Sequence, residues 1–219
     1  MMSMPFRVTF LSSCALTMSF SLYLFAQEYQ VAYLLRGTTT DQIERLASGA
    51  PLPAPRSARS TRDLLTACGR VLTTAPALRQ NAATANAVRA GCRSVSDAIL
   101  ERAPAYGRAR AVSVISSLPR ISAAEYRAAR IAAPYEPWPL LMRLESYARS
   151  GERPPELAGP AESDLAAALS YRWGRDEVAR LYIAHPDLRA GIRSVADRQE
   201  GAVRTDFLRA LRDATAKAG

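Results

Sequence analysis

The residues with the most chemistry in them are three cysteines, one histidine and a scatter of carboxylates. Cys68 and Cys92 are 24 residues apart, and their midpoint, Gln80, falls in Pro76–Asn81, which reads as a turn between two helices. In an antiparallel helical hairpin bent there, the two sulfurs stand at equal height. A Cys68–Cys92 disulfide is therefore expected, worth about 3 kcal/mol for a loop of this size; the alternative is two separate buried thiols. Cys14 lies in an apolar run and reads as a small apolar side chain. No Cys-x-x-Cys occurs, and a single histidine cannot complete a usual zinc ligand set. No cofactor or metal is expected.

His185 stands before Pro186 at the end of a helical pattern, where a cation suits the negative end of the helix dipole. Glycan cleavage needs two facing carboxylates. The candidates are Glu125, Glu136, Glu145, Glu152, Glu156, Glu162 and Asp164. Glu162 and Asp164 are two apart and so point to different faces of a helix. The others are accounted for by helix capping or by pairing with nearby arginines. No Gly-x-Ser-x-Gly, phosphate-binding glycine loop or paired-histidine zinc motif is present. Trp138 and Trp173 read as packing residues between helices. With Tyr135 and Tyr171 they also form a candidate partner groove, and Tyr182 belongs with the same groove or the same core.

Position depends on the elements around these residues, and the first is Val8–Ala26, 19 residues without a charge after Arg7. About 20 apolar residues cross a bilayer as a helix, so this run reads as a single transmembrane anchor. Its hydroxyl residues, such as Ser12, Ser13 and Thr17, suit close packing against another membrane helix. Tyr23, Tyr29 and Tyr33 fit an interfacial aromatic belt, and Arg7 places the N-terminus on the cytoplasmic side and the rest in the periplasm. A cleaved signal peptide is the competing reading; Ala26 fits the position before the cut, but Leu24 is a poor residue two places earlier.

The net charge is +9, almost all of it arginine, since Lys217 is the only lysine. That balance suits acidic partners such as an anionic lipid or glycan. The arginines are interleaved with acids and form no block, so nucleic acid is not an expected partner.

Residues 1–36 thus read as anchor and juxtamembrane helix, 37–59 as a Pro-rich linker with Pro51, Pro53 and Pro55, and 60–219 as an α-helical domain. Within 37–59, Asp41 and Glu44 have capping-box spacing for a short helix. Beyond Ser60 about nine helices are expected from Ala, Leu and Arg content and from apolar steps of three and four. One carries Leu64, Leu65, Cys68, Val71 and Leu72; another runs over 82–102 with Val88, Cys92, Val95 and Ile99. A third opens on Ser122 and Glu125, a capping box. Pro76, Pro104, Pro134, Pro160 and Pro186 recur at 28, 30, 26 and 26 residues, a spacing that points to stacked helical hairpins.

The phrase from Pro134 through Trp138, Leu141 and Tyr147 to Gly151 resembles the first helix of a tetratricopeptide repeat. It departs from that family in register, in a period shorter than the usual ~34 residues, and in lacking the small residue after the first leucine. Ala132–Trp138 and Arg180–Ala184 are also similar to phrases in small membrane-anchored helical proteins that accompany bacterial surface-polysaccharide machinery. These resemblances imply an all-α, right-handed stack of hairpins with a concave partner-binding face. The small-residue anchor, the repeat spacing and the lack of a catalytic motif point to a non-enzymatic adaptor or accessory subunit beside a larger integral membrane protein. A glycan-binding or glycan-modifying domain, and a basic structural protein resting on anionic lipid, are the alternatives.

Overall fold

The computed structural model describes the backbone of residues 4–49, 52, 55–75 and 77–218, and their side chains except at 4–11, 77, 79, 217 and 218. These residues are all-α. Helix α1 spans Met4–Leu35, α2 Thr39–Ala47, α3 Ala58–Thr74, α4 Ala77–Gln80, α5 Ala82–Leu100 and α6 Gly107–Ser116. Helix α7 spans Ala123–Ala132, α8 Pro137–Arg149, α9 Ala158–Ser170, α10 Arg172–Ala184, α11 Arg189–Asp197 and α12 Gly201–Ala218. Single 3-10 turns at Pro155–Leu157 and Pro186–Leu188 lead into α9 and α11.

Two apolar cores share one wall. Val31 and Leu34 of α1, Ile43 and Leu46 of α2, and the expected stripes of α3 and α5 close on the short helix α6 to make the first core. The second gathers α9, α10 and α11 around Phe207 of α12. Helix α8 lies between them. Trp138, Leu141 and Met142 face the first core, whereas Leu140, Leu144 and Ala148, each four residues from the last, face the second. Such a helix is buried on nearly all sides, which is why its pattern reads as apolar beyond a single stripe. A smaller cluster around Tyr126 and Leu157 seats α7.

Helix boundaries follow the sequence reading closely, and the differences have local causes. Helix α3 is capped by Ser57, whose hydroxyl accepts from the Ser60 amide at 3.1 Å, so it begins earlier than Ser60. The box that starts α2 is Thr38 with Asp41, not Asp41 with Glu44. Gly37, at φ +82°, turns the chain just ahead of Thr38 in a conformation that side chains with a Cβ disfavour.

The segment 37–59 is not a free spacer. Helix α2 packs into the first core, Gln42 is buried and donates to the Leu35 carbonyl at 2.9 Å, and Leu52 packs against the same core. Pro51 and Pro53 lie outside the described residues, and Pro55 is buried. The proline period does not mark equal hairpins. Pro104 and Pro134 fall between helices, but Pro160 sits in the first turn of α9 and Pro186 opens a 3-10 turn; Pro76 lies outside the described residues. Helix α6 packs against α3 and α5 before it and against α7 and α8 after it.

Among the described residues no helix is long and apolar enough to cross a membrane. The side chains of Val8–Leu11, the first part of the expected span, lie outside that set. From Leu16 to Phe25, α1 exposes Leu16, Met18, Phe20, Leu22, Tyr23 and Phe25, and its apolar residues have no preferred side.

Candidate functional site

Cys68 on α3 and Cys92 on α5 are disulfide-bonded, with Cα atoms 5.7 Å apart and both side chains fully buried in the first core. The expected pairing holds. Cys14 is a free, exposed thiol.

Five of the seven candidate carboxylates, Glu125, Glu145, Glu152, Glu162 and Asp164, face arginine rather than one another, whereas Glu136 stands at the N-cap of α8 without a side-chain cap bond. Glu162 meets Arg198 at 2.8 Å on the surface, while Asp164, on the other face of α9, is buried. Glu145 meets Arg149 at 2.9 Å and Glu152 faces Arg120 at 3.8 Å. Glu125 does only half of what its capping box requires. The Ser122 hydroxyl accepts from the Glu125 amide at 3.4 Å, but the Glu125 carboxylate turns to Arg93 and to Ser117, which donates at 3.0 Å. That pairing, with the further carboxylate of Asp97, raises the Arg93 pKa against the effect of partial burial. Among the described residues no group of three or more potential ligands is placed to hold a metal.

The buried polar centre of the molecule escaped the sequence reading. Arg143 of α8 is wholly enclosed and grips Asp164 of α9 with both arms of its guanidinium, at 2.8 and 3.1 Å. Tyr126 of α7 donates to the same carboxylate at 2.9 Å, and Arg130 stands 3.3 Å from it. The remaining Arg143 N–H groups reach the Ala133 carbonyl at 2.9 Å and the Ala129 carbonyl at 3.4 Å, capping α7. Burial, then the Asp164 charge, pushes the Tyr126 hydroxyl well above its ordinary range. Every strong group is satisfied, so the cluster is a three-helix clasp rather than a reactive centre.

A second carboxylate fixes α1. Glu28 accepts from the amides of Arg56 and Ser57 at 3.2 and 2.9 Å, and from the hydroxyls of Ser57 and Ser60. It thereby closes the N-terminus of α3, where negative charge is favoured. Burial pulls the Glu28 carboxyl upward, but the hydrogen bonds from Ser60, Ser57 and Arg56 together outweigh it and hold the group below its usual range.

The four aromatics of the expected groove do not come together. Trp138 is half-buried against the first core, over Gly69, with the Arg108 guanidinium 5.0 Å from its ring. Trp173 is half-buried against the second core and stacks on Tyr171 at 5.5 Å. Tyr135 is exposed. Tyr182 packs edge-on to Phe207 in the second core, with Arg189 and Arg193 against its ring. Each tryptophan is thus a packing residue on a different core, and only Tyr171 and Trp173 meet.

Among the described residues, two open clefts stand out. One, of about 810 Å³, runs between α10 and α12. Its charges largely cancel, Asp206 taking Arg209 at 2.9 Å and Arg175 at 3.5 Å. The other, of about 640 Å³, opens where the two cores meet. Leu72, Ile115, Leu118 and Leu181 line its floor, and Arg89, Arg149, Arg180, Glu145 and His185 its rim. His185 is the C-cap of α10, its amide donating to the Leu181 carbonyl at 2.9 Å. Burial lowers its pKa; Glu145 and Asp187 pull upward, and Arg149 and Arg153 push down again, so the neutral imidazole is favoured.

Comparison with known protein families, curated proteins and solved structures gives no significant match to this chain.

Proposed function

We propose that the protein is a membrane-anchored, non-enzymatic adaptor or accessory subunit of a bacterial envelope complex, its folded body on the periplasmic side. The observation that carries this reading is helix α1. Its final part is built into the body, with Val31 and Leu34 in the first core and Glu28 tied to α3. Between Leu16 and Phe25 the same helix presents large apolar side chains on all sides. A helix apolar all round calls for lipid or for other helices as its surroundings. With Val8–Leu11 the uncharged run reaches 19 residues, close to the ~20 that a bilayer needs. The Cys68–Cys92 disulfide supports an oxidising compartment for the body. The likeness of Ala132–Trp138 and Arg180–Ala184 to accessory proteins of surface-polysaccharide machinery directs where a partner is sought.

The test is purification of the full-length chain from mild-detergent membranes, with mass spectrometry of what accompanies it. Co-purification of a polytopic membrane protein supports the adaptor. Recovery of the chain in the detergent-free soluble fraction overturns the anchor. Protease digestion of intact spheroplasts then reads the side: the body is expected to be cleaved without lysis.

A further inference from the structure

The geometry points to the groove between the two cores as a binding site for a single-chain anionic amphiphile, its alkyl chain on Leu72, Leu118 and Leu181 and its acidic head on Arg89 and Arg180. The assignment goes beyond the adaptor reading and does not depend on it.

Three features of the groove fit this ligand. Its volume, about 640 Å³, is in the range of pre-formed small-molecule sites, and its floor is apolar. Its rim carries three guanidinium groups against one carboxylate. Glu145, the carboxylate, is already held by Arg149 at 2.9 Å. Arg149 also donates to the Leu72 and Thr73 carbonyls, so each of its three nitrogens already has a partner. Arg89 makes one hydrogen bond, to the neutral Asn86 amide oxygen at 2.7 Å, and keeps most of its donors for an incoming anion. Among the described residues, Arg180 has the carboxylate of Glu177 as its one partner. The uncompensated positive charge therefore sits on Arg89, and Arg180, shared with Glu177, adds a second guanidinium with donors to spare.

The third feature concerns what the groove lacks for a peptide. An extended chain laid on this floor would bring amides and carbonyls that need partners. The backbone here is helical and satisfied internally, and the carbonyls at the end of α3 are capped by Arg149. An alkyl chain brings no such groups.

His185 makes the site readable, because it is the only histidine in the chain and lines the groove. The charged groups around it are Glu145, Asp187, Arg149 and Arg153, with Arg180 on the same rim. An anion arriving beside it moves its resonances and raises its pKa.

The experiment uses the full chain in neutral phosphatidylcholine nanodiscs, labelled with ¹⁵N at histidine. Octyl phosphate is titrated below its micelle concentration, with octyltrimethylammonium and inorganic phosphate as comparators. The expected result is a saturable shift of the His185 imidazole with octyl phosphate, at an affinity about tenfold or more above either comparator. Ala184→Trp, at an exposed lining position, and Arg89→Glu are each expected to weaken it by about tenfold. Alkyl chains of either charge also meet the apolar surface of α1, but that contact leaves His185 unmoved. An equal response to the cationic chain overturns the acidic head, and an equal response to inorganic phosphate overturns the alkyl chain. Absence of a saturable shift, or an unchanged shift in both folded variants, overturns the site.

Discussion

Arg143 and Asp164, 21 residues apart in sequence, meet as a bidentate ion pair with both side chains out of reach of water. The pair joins α8 to α9, and Tyr126 and the α7 carbonyls complete it. Removing one partner leaves the other charged and buried, which costs about 3–5 kcal/mol. Asp164→Ala and Arg143→Ala are therefore expected to lower unfolding stability by that amount, read by urea denaturation. Replacing both by apolar residues of similar volume removes the stranded charge, so an Arg143→Met, Asp164→Leu double variant is expected to be more stable than either single one. A double variant as weak as the sum of the singles would contradict this account.

The disulfide makes a prediction that needs no mutation. Of three cysteines, two are bonded and Cys14 is free and exposed. Alkylation of the denatured, unreduced chain is expected to label one thiol, and of the reduced chain three. The Cys68→Ser, Cys92→Ser variant is expected to lose about 3 kcal/mol, since the bond closes a loop in the unfolded chain. Three labelled thiols before reduction would exclude the bond.

What the sequence made legible follows from how far each interaction reaches. Helix α5 ends within two residues of its expected bound and α7 opens at its expected cap because such signals act locally: Ser122 starts α7, and Pro137 likewise occupies the first turn of α8. The disulfide was legible because the reversal midway between its cysteines, which holds the one-turn helix α4 where a turn was expected, fixed their height. The clasp was not. Arg143 stands between Met142 and Leu144 with no sign of which acid it pairs with, and Asp164 looked no different from Glu162, two residues before it. Only the packing of α9 on α8 turns one inward and the other toward Arg198. The aromatic groove failed for the same reason. Trp138 and Trp173 are alike in sequence, but opposite sides of α8 send them to separate cores.

Glu28 ties α1 to α3 through backbone amides, so its effect depends on pH with a definite sign. Its folded pKa is held below the ordinary carboxylate value of 4.5. The stabilisation is then fully present above that value and fades as pH falls through the lower, folded one. Glu28→Ala is expected to cost roughly 1 kcal/mol near neutrality, as the loss of a helix cap does. Wild type and variant are expected to converge in acid. Hydrogen exchange over residues 27–35 is expected to speed up in the variant at pH 7, and by progressively less as the pH is taken down through the folded value. Exchange in the variant equal to wild type at pH 7 would mean that Glu28 does not hold the helix.

His185 gives the opposite-looking but consistent case of a base disfavoured in its charged form. Burial holds its folded pKa below the ordinary 6.5, with Glu145 and Asp187 only partly countering. The unfolded chain therefore takes up the proton first as pH falls. Stability from the neutral imidazole is complete above about 6.5 and is lost as pH drops toward the folded value. His185→Gln removes that titration, so its stability is expected to stay flat from pH 7 to 5 where the wild type declines. Asp187, held low first by its hydrogen bond from Arg153, gives up its share only at more acidic pH. The two residues thus separate on the pH axis, and urea midpoints taken every half unit resolve them. A decline of equal slope in His185→Gln would place the titrating group elsewhere.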